Sequence, residues 1–174
     1  MDERAQVMDI KVSISARGAI FDGKSETIML DAITAAMYEA TSFIEREVKK
    51  RTPVGVSGAR GGLIASIHGE VQRGTRYVKG IVGHQSTYGD VVELGRRPGK
   101  TWPPEGSLIK WIQVKLGVDA VKAKKLEFVI RRKIGQKGIP GVFMFRNALD
   151  ENWPKLEAMF QKYGFIITRA FNAE

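Results

Sequence analysis

The sequence predicts an α+β fold: a long N-terminal helix packed on a small antiparallel sheet, with further C-terminal helices. Three observations predict it. Ile33, Met37, Ala40, Ile44 and Val48 recur at spacings of three and four, which aligns them along one side of an α-helix. Two apolar runs, LIASIHGEVQ and YVKGIVG, flank the turn-forming Arg73-Gly74-Thr75 and read as an antiparallel hairpin. Beyond Pro103 the apolar residues return to helical spacing.

Taken in order, Ile10, Val12 and Ile14 alternate with polar residues, the period of a half-buried strand. Gly18 and Asp22-Gly23 mark a turn. Ser25 can cap the long helix that follows. Lys49, Lys50 and Arg51 complement the negative end of its dipole and Pro53 stops it. In the hairpin, Ile67, Gly69 and Val71 fall on one face, as do Val78, Gly80 and Val82 of the partner strand. Tyr88–Leu94 fits a short helical turn or a strand.

Pro103-Pro104 opens a helix running through Leu116, whose apolar side is Leu108, Ile109, Trp111, Ile112 and Leu116. A basic helix runs from about Asp119 to Ile134 with Ala123, Leu126, Ile130 and Ile134 facing inward, and Gly135 with GIPG breaks it. VFMFRNALDENWPKLEAMFQKY reads as one or two helices divided near Pro154, and GFIITRAFNAE fits strand or helix. No repeat or linker interrupts the chain, so residues 1–174 are expected as one domain. Its parts are a strand-like extension over 1–23 and a main body over 24–170.

At 174 residues, 43% hydrophobic and 27% charged, the composition is that of a globular protein. The acidic, polar start MDERAQVMDI is unlike a signal peptide. No apolar run approaches the about 20 residues that span a bilayer, so no membrane contact is expected. With no cysteine there is no disulfide framework and no thiolate metal site, as suits a cytoplasm.

Twelve basic residues against three acidic ones lie between Arg96 and Lys137, and that segment carries the whole net charge of +9. Such confinement implies an anionic partner, either nucleic acid or an acidic protein face.

Catalytic readings are weak. His68 and His84 lie in no HxxH, HxH or HExxH spacing and read as ordinary surface or turn residues. No serine sits in GxSxG. Asp90 and Glu93 could share a helical face as an acid–base pair, but Glu93 is better read as a structural carboxylate answering Arg96 or Arg97. The glycines of Gly55–Gly62 follow a helix and have Leu63 where a phosphate loop needs lysine, so they read as a flexible connection.

Nucleic-acid binding has more support from the basic helix and loop. No helix-turn-helix, zinc finger or RNP strand accompanies them, and Trp111 stands at core spacing rather than on a stacking platform. Docking on acidic protein is the favoured use of the basic face.

Several pieces of the chain are familiar in their order. A long helix ends in RTPVG, and a glycine-rich stretch leads into LIASI. YGDVVELGRRPG, PPEGSLIKWI and GIPGVFMFRNAL follow. Over about residues 28–165 this resembles the tail-component family of tailed bacteriophages, the neck or tail-completion proteins. Its first motif is matched by Thr52, Pro53, Gly62, Leu63, Ser66 and Ile67, and its second by Tyr88, Val92, Glu93 and Gly95. The third is matched by Pro103, Pro104, Leu108 and Trp111, and the last by Gly138, Pro140, Phe143, Ala148 and Leu149. The chain departs from the family pattern in its N-terminal extension, its expanded glycine loop and the spacing between Pro140 and Phe143.

The resemblance implies a non-catalytic structural subunit of the virion, without cofactor or metal, that assembles in the host cytoplasm as a homo-oligomeric ring. Its neighbours would be a head-connector or stopper ring and the tail tube or its terminator, with non-specific contact with phage DNA as a further expectation. Tyr88–Pro104 would then be an adapting joint. The interface candidates are Tyr88, Glu93, Arg96, Arg97, Lys100 and Trp102 in that joint, and Lys122, Lys125 and Arg132 on the basic helix. For Trp102 the alternative is a ring that simply caps the core. The alternative function is DNA binding through residues 96–137.

Overall fold

The apolar stripe of the long helix is buried along its whole length. The computed structural model describes residues 8–13, 24–55, 62–99 and 102–172, and the chain is α+β. Helix α1 (Lys24–Arg51) lies on a three-stranded antiparallel sheet of order β1-β3-β2, formed by β1 (Met8–Ser13), β2 (Ile67–Arg73) and β3 (Tyr77–His84). Ile33, Met37, Ala40, Ile44 and Val48 are all buried. Ile33 and Met37 cluster with Val78, and Met29, Leu30, Val71 and Phe160 pack around them.

The chain gathers into two compact units and crosses between them four times, which is why no linker marks the division. The first holds residues 1–51, 67–84 and 145–174; the second holds 52–66 and 85–144.

In the first unit, two glycines set the helix-to-sheet distance. A Cβ at Gly80 would overlap Thr41 Oγ1 and come within 2.7 Å of Met37 Sδ; one at Gly69 would meet Thr41 Cγ2 at 2.7 Å. The Glu45 carboxylate accepts from Gly69 N at 2.8 Å, satisfying an amide of the strand that ends the sheet. Helix α6 (Met144–Asn172) completes the unit from Phe145 onward. It buries Phe145, Ala148, Asn152 and Leu156, and Asn152 Nδ2 donates to Ala148 O at 2.9 Å.

Pro154 does not divide α6, because the buried side runs on both sides of it and the proline itself is exposed. The ambiguous C-terminal stretch is helical to Asn172. Tyr163 and Lys162 bond Glu39 on α1 and hold its carboxyl below the usual range, the tyrosine hydroxyl acting most strongly.

At the end of α1, Glu47 accepts from Lys50 Nζ and Arg51 Nη1, each at 2.6 Å, and Arg51 also pairs with Glu151 of α6. The hydrogen bonds from Lys50 and then Arg51 pull Glu47 from 4.5 to about 2. Between those values the unfolded carboxylate binds more protons than the folded one. Its stabilising contribution is therefore full above about pH 4.5 and is lost as pH falls toward about 2. Chemical denaturation at pH 5 and pH 2.5 checks this: the stability difference between the native chain and Glu47→Gln should shrink across that window.

Two expectations need correction in this frame. LIAS is not strand: Gly62–Ser66 is a helical turn, α2, and the strand begins at Ile67. Leu63 and Ile67, four apart and both buried, show the helical period, and Ser66 Oγ donates back to Leu63 O at 2.8 Å. His84 is a core residue, 6% exposed, with its ring 5.9 Å from that of Phe145; His68 is exposed as expected. The strand read at Ile10–Ile14 is β1, paired with β3 in register Val12↔Val78; Ile14 and most of the extension lie outside the described residues, as does 56–61.

The second unit contains α3 (Gly89–Leu94), β4 (Gly95–Arg96), α4 (Ile109–Leu116), α5 (Ala120–Lys137) and β5 (Ile139–Pro140) together with α2. Helix α4 begins at Ile109 and not at Pro103. Residues 105–108 instead form a turn, in which Ser107 N and Oγ donate to Pro104 O at 3.3 and 2.6 Å. Ile112 is the buried residue of α4, while Trp111, expected in the core, is 42% exposed. Helix α5 is capped by Asp119, whose side chain accepts from Lys122 N at 2.8 Å. It runs through Gly135 to Lys137 and stops at Gly138, where φ is +73°.

Candidate functional site

Of the stretch Tyr88–Leu94, Gly89–Leu94 is helix α3 and Tyr88 precedes it, with Asp90 in the first turn where an acid complements the dipole. At Gly95 φ is +77°, a conformation that glycine adopts at little cost. The next residues pair with the GIPG stretch, Gly95 opposite Pro140 and Arg96 opposite Ile139. The approach is too close for side chains: a Cβ at Gly138 would overlap Arg96 O, and one at Gly141 would lie 2.6 Å from Glu93 O. Val142 N donates to Val92 O at 2.8 Å and Phe143 N to Glu93 O at 3.0 Å. Phe143 takes φ of +54° there, a left-handed conformation costing about 1–2 kcal/mol for a residue with a Cβ.

Gly99 and residues 102–108 are fastened to α5 at successive points. Gly99 N donates to Gly135 O at 2.9 Å. The Trp102 indole rests on Gly135, where a Cβ would come 2.5 Å from its Cδ1, and meets the Phe128 ring edge-on at 5.8 Å. Arg131 Nε donates to Pro103 O at 2.7 Å. Finally the Glu127 carboxylate, 2% exposed, accepts from Gly106 N at 3.1 Å and Leu108 N at 3.0 Å. Gly135, read in the sequence as a helix breaker, is kept in the helix by the tryptophan that covers it.

The interface candidates divide by this geometry. Tyr88 and Arg97 are exposed, Arg96 is half-buried in β4, and Glu93 is buried at 6% exposure, so the Glu93 side chain is not part of the exposed surface. Lys100 lies outside the described residues. Trp102 caps α5 at Gly135 while keeping 37% of its surface exposed. Lys122, Lys125 and Arg132 are exposed on α5.

The basic segment is less neutralised than its composition suggests. Of its three acids, Asp119 bonds a helix N-terminal amide and Glu127 two loop amides. Lys122, Lys125 and Arg132 have no acidic partner among the described residues. Beside these cations α5 exposes Val121, Phe128 and Val129.

Glu127 was missed as a structural residue by sequence reasoning. Its position four after Ala123 and four before Arg131 places it on the inward side of α5, and that was the available signal. Among the described residues no three His, Cys, Asp or Glu side chains are placed to hold a metal ion. No described helix is long and apolar enough to cross a membrane. Compared with protein-family models, with curated proteins and with solved structures, the chain matches none.

Proposed function

We propose that the chain is a structural virion subunit of a tailed bacteriophage, a tail-completion or neck protein that joins tail to head. It would act by ring assembly and non-covalent docking, with no reaction to perform. The observation that carries this reading is the meeting of two motifs behind the family resemblance: VELGRR and GIPGVF form one cross-braced element through Gly95, Gly138 and Gly141. That element delivers the loop onto α5, so the exposed Arg97 and Trp102 stand on a braced support. A preorganised surface of this kind suits docking, and arginine fits carboxylates bidentately. The partners would be further copies of the chain, a connector or stopper ring, and the tail tube or its terminator.

Removing the gene from its phage tests the reading. The expected outcome is filled heads and separate tails, with joining restored by the gene in trans; fully joined, infectious particles without the protein would overturn it.

DNA binding through residues 96–137 is the second reading, favoured by Lys122, Lys125 and Arg132, which have no acidic partner among the described residues. It requires a mobility shift of duplex DNA that weakens steeply with salt and disappears when Lys122, Lys125 and Arg132 are neutralised.

A further inference from the structure

Two helices carry the same side-chain spacing with opposite charge. On α5, Lys125, Phe128 and Arg132 follow one another at three and four residues; on α6, Asp150, Trp153 and Glu157 do the same. Such positions share one face of a helix, and charges seven residues apart stand about 10.5 Å from each other along the axis. All six side chains are exposed, Phe128 at 56% and Trp153 at 50%. Neither the two cations nor the two carboxylates have an ionic partner among the described residues.

We propose that α5 of one copy docks on α6 of a second copy, with Lys125 and Arg132 against Asp150 and Glu157, and Phe128 against Trp153. The contact deepens the assembly-subunit reading and rests on it. A central aromatic anchor flanked by complementary charges is an arrangement that concentrates binding energy and fixes register. Duplex DNA would engage the cations but leave Phe128, Val121 and Val129 in water and the two α6 carboxylates unanswered. A second copy answers the α5 face of the first with its own α6 face. Because the two faces differ, the contact is head-to-tail, and each docked copy offers a free face to the next.

Sedimentation velocity on the full chain at rising concentration tests this through charge reversal. The native chain should associate beyond a dimer, more weakly as salt is raised. K125E/R132E and D150K/E157K should each associate about tenfold or more weakly alone, and their equimolar mixture should recover association because the reversed faces also complement each other. All four positions are exposed, so unchanged circular dichroism and melting would confirm that both variants fold. Variants that associate like the native chain, or a mixture that does not recover, would overturn the contact while leaving assembly through another surface intact. A native chain that stays monomeric at every concentration would overturn the contact, and the gene-removal experiment would then decide the broader reading separately. Loss of DNA binding in K125E/R132E with unchanged self-association would assign the α5 face to nucleic acid and also overturn it.

Discussion

Glu127→Ala is expected to destabilise the second unit by about 3 kcal/mol and to loosen the loop before α4. The carboxylate is buried and accepts from Gly106 N and Leu108 N. Without it both amides lose their acceptor, at about 1–3 kcal/mol for a buried donor. The cost is held toward the lower end because Gly106 is exposed and water can reach its amide. Glu127→Gln should fall between, since its single carbonyl oxygen can keep one of the two bonds. Hydrogen exchange at Gly106 and Leu108, read beside urea unfolding, checks the mechanism: faster exchange at these amides should accompany the lost stability. Unchanged exchange in the alanine variant would show that the carboxylate does not hold the turn.

Gly80→Val should cost about 3 kcal/mol in the first unit, against strand propensity. Valine is the better strand former, so propensity alone predicts a gain. The added side chain, however, would run into Thr41 and Met37 of α1, and overpacking a close-packed interface costs about 1–3 kcal/mol. Gly80 is also flanked in register by Ile10 of β1 and Val71 of β2, so the strand cannot shift sideways to relieve the overlap. Thermal unfolding of Gly80→Val beside a paired Gly80→Val, Thr41→Ala variant separates the causes. Removing the threonine side chain should return part of the loss, and a stability equal to or above that of the native chain in Gly80→Val alone would exclude a steric role for this glycine.

The parts of the fold legible in the sequence are those where one periodicity acts alone. The α1 stripe is amphipathic over several turns, and every residue assigned to it is buried. The hairpin was legible because Gly74 stands between two alternating runs, and Gly74 N bonds Tyr77 O in the turn.

Legibility fails where a tertiary contact overrides a local rule. Gly135 has poor helix propensity yet stays helical under Trp102. Pro103-Pro104 resembles a helix start, but Arg131 and Glu127 hold the chain from Pro103 to Leu108 in a turn. Glu127 itself counts in the sequence as one acid among many bases, and only the fold shows its carboxylate turned inward onto two amides. Trp111 follows the apolar spacing of α4, although a short helix on one neighbour buries little more than Ile112. At the candidate site, the cations and Trp102 were named from composition and order, whereas the bracing by Gly95, Gly138 and Gly141 depends on a pairing across more than forty residues.

The most direct measurement is to locate the protein in the finished particle by electron microscopy with an antibody raised against the purified chain. The assembly reading predicts label confined to the junction of head and tail, in several copies per particle. Particles that carry no label there, while the protein is recovered free or bound to DNA in the lysate, would contradict it.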